Sequence, residues 1–357
     1  MSPPRLSRQK WSGALGRKFR VQSAVIGLLI GLACIAILFR QVDLKRSWNA
    51  LGRLNGPFLA IPLAVFFVNL PLRALRWQLI FAASQRPTLG ACLTVLGIGN
   101  MANFLLPGRA GDLARCALIG NTGSLHEGSR AIATLAVEKV LDGLALIGMV
   151  LFAVWAVHPP HWVLELLRVA TAIFGGALAM LALLRYRTRT LIQYVRAAFR
   201  AVRLSFLEEG FDGLLTSFAD GLSAVGSASQ LLILIVLTAA IWTTEAAVIW
   251  GLAIALGLAV SLKSAVVASA ILGLGLMIPA APGGLGTYEL FGTEAFQLAG
   301  IAASSALALT VVIHAWVFVA NIVLGVCMLA VKGISLTQLR RQIEFGDKGA
   351  GSTMRSS

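Results

Sequence analysis

Apolar runs of roughly 20 residues, the length that crosses a bilayer as a helix, recur along the whole chain. The first is Val21 to Phe39, and five more lie near 57–75, 130–156, 162–184, 229–257 and 305–331. Two further apolar stretches, near 89–120 and 264–301, are interrupted by Gly and Pro. Backbone broken at membrane depth is tolerated where it lines a cavity, so each reads as a hairpin that enters and leaves on one side. The pattern predicts an all-α, polytopic integral membrane protein: six full spans plus two re-entrant helical hairpins, about eight hydrophobic segments in all. No intervening stretch is long enough to bury a soluble core of ordinary size.

The order span, span, hairpin, span occurs twice, the second time with every direction reversed. This predicts an inverted repeat, the arrangement in which interrupted helices meet near the midplane. The expected organisation is a basic tail at 1–20, a first half at 21–157 and a second half at 158–335, then a disordered tail at 336–357. The breaks match as well, since Pro107-Gly108-Arg109-Ala110-Gly111 and Pro282-Gly283-Gly284-Leu285-Gly286 both read P-G-x-x-G. Within 185–226, apolar residues at 207, 211, 214, 218, 222 and 225 predict an amphipathic helix lying in the cytoplasmic interface.

Composition agrees with a membrane chain: 58% of the 357 residues are apolar and 13% charged. The formal charge of +15 could suggest nucleic acid, but the basic residues gather beside the apolar runs. Arg5 to Arg20, Arg185 to Arg203 and Lys332 to Arg355 form three such clusters, which the positive-inside rule places in the cytoplasm. The loop at 40–56, placed outside, runs against this with Arg40, Lys45, Arg46 and Arg53. No nucleic-acid partner is expected, and the location read from the pattern is a cytoplasmic-type membrane with both termini inside.

Ionisable residues are costly within the bilayer, so those that interrupt apolar segments carry the functional argument. Around the first break stand Arg109, Asp112 and Arg115, and a helix begun near Gly111 offers free N–H groups to an anion. The two arginines suit phosphate. A structural reading stands beside this one, in which Asp112 neutralises Arg115 one turn on. Glu138 and Asp142 share one helical face, adjacent to Lys139, and suit a cationic headgroup, a counter-charge or a coupling proton. Glu289 and Glu294 follow the second break, and His314 lies about as far beyond Gly286 as Glu138 lies beyond Gly111. His158 and His161 lack a third ligand for a metal site. No cofactor is expected, because no P-loop, HExxH or nucleophile elbow is present.

At these positions the chain resembles the lysylphosphatidylglycerol synthase transmembrane family, the flippase-like domain at the front of bacterial multiple-peptide-resistance factors. Three motifs carry the resemblance: the N-x-x-L-P-x-R-x-G-[ED]-x-x-R pattern from Asn103 to Arg115, E-[KR]-x-x-D from Glu138 to Asp142, and P-G-G-x-G-x-x-E from Pro282 to Glu289. Arg76-Trp77 adds a further family feature, and Asp112 stands where Glu is more usual. The resemblance implies lipid translocation between leaflets. It also implies a stand-alone member, since no aminoacyl-transferase domain is expected after Val331.

The reading is therefore a lipid flippase or transporter of the bacterial inner membrane, not an enzyme. Its headgroup site would draw on Asn103, Arg109, Asp112, Arg115, Glu138, Asp142 and Glu289. Its partner is a membrane lipid: a phospholipid, aminoacyl lipid, hopanoid or polyprenyl-linked lipid. An integral membrane enzyme acting on a lipid-linked substrate, or a scaffold for a lipid-modifying enzyme, are the rival readings.

Overall fold

The computed structural model describes residues 43–52, 54–82, 86–106, 110–119, 125–157, 160–187, 227–276 and 281–332, with scattered positions in 29–40 and 190–220. The described chain is helical, with no strand among the described residues. Its elements are α1 (Leu44–Leu51), α2 (Ala60–Ile80), α3 (Leu89–Leu105), α4 (Ala110–Ile119), α5 (Leu125–Val157) and α6 (His161–Tyr186). They continue with α7 (Ala228–Ala255), α8 (Leu262–Gly275), α9 (Thr287–Leu298) and α10 (Ala303–Lys332).

Four helices are long and apolar enough to cross a membrane: α2 with the preceding turn from Gly56, α6, α7 and α10. The 33-residue α5 is longer still but carries Glu138, Lys139 and Asp142 in mid-helix. At 1.5 Å per residue, α3, α4, α8 and α9 reach roughly 15–25 Å, short of the ~30 Å hydrocarbon core. They fall on the two stretches expected to be broken, α3 ending at Leu105 and α4 beginning at Ala110, α8 ending at Gly275 and α9 beginning at Thr287. The expected first span at 21–39 lies mostly outside the described residues, as do the amphipathic segment at 206–225, apart from Thr216, Ala219 and Asp220, and both tails.

Local chemistry sets several helix starts. The side chains of Thr88, Ser227 and Ser261 accept from the N–H groups of Ala91, Gln230 and Ser264, capping α3, α7 and α8. Asp43 does the same for α1 through Lys45 and Arg46. The stretch expected as a loop at 40–56 thus contains a helix, which packs against α10. Lipid provides no hydrophobic drive between helices, so close packing and polar contacts must hold them. α2 and α7 form the most extensive pair, α3 lies on α10, and α8 lies on α5.

The two arms of the first broken pair approach through glycine. A Cβ added to Gly111 would stand 2.0 Å from the Gly99 carbonyl oxygen and 2.6 Å from the Asn103 nitrogen, both backbone atoms that cannot swing aside. Gly111→Ala therefore should force α3 and α4 apart and lower the melting temperature of the purified protein by several degrees, an overpacking cost of about 1–3 kcal/mol. An unchanged melting curve would mean that the two arms are not packed this closely.

Candidate functional site

Three charged groups converge where the broken pairs face each other. The first is a buried cluster joining α2, α4 and α5. Arg115, 2% exposed, donates to Glu138 at 2.8 Å, lies 3.7 Å from Asp112, and stacks its guanidinium 4.8 Å from the Trp77 ring centre. Arg76, 1% exposed, donates to Asp142 at 2.6 Å and to Thr238 at 3.1 Å, and stands 3.9 Å from Glu138. Lys139 reaches Asp112 at 3.1 Å. Three acids and three bases offset one another, which is how charges are kept inside a bilayer.

Asn103 and Asp112 close the first break from both sides. The Asn103 amide donates to the Asp112 carboxylate and its oxygen accepts from the Asp112 N–H, both at 3.1 Å. Asp112 lies in the first turn of α4, where a carboxylate also suits the helix dipole.

The second group faces a cavity of about 400 Å³ bounded by α2, α3, α5, α7, α8, α10 and the second break. Its walls are aromatic and aliphatic, with Phe66, Phe104, Trp242 and Trp316 among them, and charge enters from Arg73, Lys139, Asp142 and Glu245. Arg73 donates to Glu245 at 2.6 Å and to Asn69 at 2.9 Å. Unlike the buried cluster, this pair stays open, with side chains 25% and 32% exposed. Trp242 donates to Asp142 at 3.3 Å, so Asp142 belongs to both groups.

The third group holds the second break. Gly283, Gly284 and Gly286 take φ of 70°, 78° and 87°, a region where glycine carries no Cβ penalty. Glu289 accepts from the Gly286 N–H at 2.7 Å. Its other oxygen meets His314 at 2.5 Å, and the far ring nitrogen of His314 meets the Gly283 carbonyl at 2.9 Å.

Of the residues singled out from sequence, Asn103, Asp112, Arg115, Glu138 and Asp142 come together on one side. Glu289 sits apart on the opposite break, and Pro282, Gly283 and Gly284 line the cavity between. Pro107, Gly108 and Arg109 lie outside the described residues. Arg115 and Glu138 are spent on each other and do not line the cavity. The sequence reading missed Arg73, Glu245 and Asn69, and it took Arg76 only as a family feature. The signal was present, because Arg73 and Arg76 sit one turn apart inside a span and Glu245 sits in the middle of another. Among the described residues no three His, Cys, Asp or Glu side chains gather as metal ligands; His161 pairs with Glu165 at 3.7 Å, and His158 lies outside the described residues.

Comparison with known proteins brings in one relative and one family. Glycosyltransferase AglD of Haloferax volcanii is 26% identical over 347 residues, an alignment covering 88% of this chain and 55% of that protein. The chain thus spans about half the length of this relative. No solved structure matches this chain. The profile of the lysylphosphatidylglycerol synthase TM region covers residues 24–325. Most of the chain, including the buried cluster, the cavity and both breaks, falls within that match, and the protein belongs to the lysylphosphatidylglycerol synthase TM family.

Proposed function

We propose that this protein moves a polar, phosphate-bearing lipid between the leaflets of the bacterial inner membrane. The observation that carries this reading is a cavity of about 400 Å³ with charged walls, set between two interrupted helix pairs of a membrane protein. That volume lies within the ordinary range for a small-molecule site and fits a headgroup, while acyl chains stay in lipid. Arg73 and Lys139 supply donors for phosphate, and Glu245, Asn69 and Asn321 suit the amine or hydroxyl part of the headgroup. Of the residues expected from sequence to bind the headgroup, Asn103 and Asp142 line the cavity; Asp112, Arg115, Glu138 and Glu289 would act on it from behind its wall, and Arg109 stays in the proposed set.

Within this reading the two halves form an inverted repeat with re-entrant hairpins. The support is reciprocal packing: α3 of the first hairpin lies against α10, and α8 of the second lies against α5. The basic clusters place both termini and the 185–203 segment in the cytoplasm. The relative's name, a glycosyltransferase, favours a second reading, in which this membrane region presents a lipid-linked substrate to an enzyme or acts on it.

The test uses purified protein in liposomes that carry headgroup-labelled lipids and an impermeant quencher outside. Protein-free vesicles lose the signal of the outer leaflet alone. With this protein, at least one of a labelled phospholipid, an aminoacyl phospholipid and a polyprenyl phosphate should lose signal from both leaflets. A plateau equal to that of empty vesicles for all three would overturn the transport reading. Sugar transfer to the polyprenyl phosphate by the isolated chain would establish the second.

A further inference from the structure

We propose that Glu289 and His314 form a proton-binding site that latches the second break and couples lipid movement to proton movement. The inference rests on the transport reading for its consequence, but its geometry stands alone. His314 touches two oxygens at once: the Gly283 carbonyl 2.9 Å from Nε2 and Glu289 Oε1 2.5 Å from Nδ1. A carbonyl can accept and never donate, so Nε2 carries a hydrogen. The contact at Nδ1 then needs a second hydrogen, since an unprotonated ring nitrogen and a carboxylate are both acceptors. One proton beyond the neutral imidazole is therefore held by the pair, whichever atom it rests on. Binding adds one H⁺ from water to the carboxylate and neutral imidazole; release returns it and leaves one of the two contacts with two facing acceptors, Nδ1 and Glu289 or Nε2 and the Gly283 carbonyl according to the tautomer.

What the proton holds shut is the break itself. Glu289 secures the Gly286 N–H and His314 secures the Gly283 carbonyl, so the dyad ties both ends of the glycine turn. The turn lines the cavity through Pro282, Gly283 and Gly284 and abuts the first broken pair, with Phe104 3.4 Å from where a Gly283 Cβ would lie. Losing the proton breaks one of the two His314 contacts, to Glu289 or to the Gly283 carbonyl, and either loss loosens the turn and changes the cavity wall that a headgroup touches. Both partners are mostly shielded, at 16% and 7% side-chain exposure, so water cannot easily replace the bond.

Few other titratable groups face the dyad. Tyr288 stacks on the His314 ring at 4.4 Å, from the same helix as Glu289. Cys34, among the described positions in 29–40, lies within electrostatic range of Glu289, and Glu245 of α7 lies within range of Tyr288. Glu294 lies further along α9. Of these, Cys34 and Tyr288 are neutral near pH 7 at their ordinary values, and Glu245 and Glu294 are the other acids on the elements around the dyad.

Two measurements test this. Infrared difference spectra of the full chain in lipid nanodiscs, recorded between about pH 5 and about pH 9, span the range over which histidine pairs titrate. They should show proton uptake in carboxyl or imidazole bands that are absent from both Glu289→Gln and His314→Gln. Identical spectra in wild type and variants would overturn the site. In liposomes, a pH gradient should change the wild-type leaflet-exchange rate by up to about tenfold per unit, the change in proton occupancy that one pH unit brings. Exchange that proceeds at one rate with or without the gradient would overturn the coupling and leave the transport reading standing. Dyad bands without exchange of any lipid would support the proton site and remove the transport reading instead.

Discussion

Arg76→Met should destabilise the folded chain by about 3–5 kcal/mol, the cost of breaking a buried ion pair and leaving its partner uncompensated. Arg76 is buried and its bond to Asp142 is short, at 2.6 Å. Without it, Asp142 keeps a hydrogen bond from Trp242 alone among the contacts of that cluster described above. Adding Asp142→Leu should recover much of the loss, because replacing both partners removes the stranded charge. Arg115→Met should behave similarly through Glu138, whose other oxygen is already buried without a hydrogen-bond partner among the described residues. Thermal unfolding of the purified single and double variants reads both effects. A loss below about 1 kcal/mol, the size expected for exposed pairs, would mean that water reaches the cluster. At Arg115 and Glu138, burial this complete makes stability the first thing to fall.

Arg73→Gln and Glu245→Gln should do the reverse, cutting leaflet exchange at least tenfold while leaving the melting temperature nearly unchanged. The two side chains face the cavity and bond chiefly to each other. A half-open pair contributes on the order of 1 kcal/mol or less to stability. A hydrogen bond from a charged group to a bound headgroup is worth about 1.5–3 kcal/mol, or roughly 10- to 150-fold in affinity. Double replacement should cost less than the two losses combined, since both residues serve one polar contact. Exchange at wild-type rates in well-folded single variants would remove the headgroup from this cavity.

Four of the six expected spans were legible because long apolar runs have no other stable use, and the short helices end beside the Pro and Gly positions that interrupt the other two runs. Helix ends followed from local signals such as Thr88, Ser227 and Ser261. The buried cluster was half legible. Glu138 and Asp142 could be placed on one face by spacing, and Asp112 could be paired with Arg115 by its separation of three. What no local rule could supply was the partner of each acid across helices: Arg76 lies 66 residues from Asp142, and Arg73 lies 172 from Glu245. A charge within a span announces a partner or a cavity without saying which. His314 shows the same limit, since its distance past the second run of glycines was visible along the chain while its bond to Glu289 required the fold.

The polar ties between α2 and α7 bear on how such a molecule could work. These antiparallel helices are linked near both ends and in the middle: Asn55 N–H to the Ala255 carbonyl at 2.7 Å, Asn69 to Ile241 and Thr244, and Gln230 to the Leu79 carbonyl at 2.7 Å. Sliding one helix past the other would strand several of these groups where lipid offers no replacement. The pair is suited to act as a stator, a fixed frame against which softer parts turn. Under the proposed transport function, alternating exposure of the cavity falls to the short interrupted helices, so a rigid cross-link between α2 and α7 should leave leaflet exchange intact while one between α3 and the Pro282–Gly284 turn should stop it.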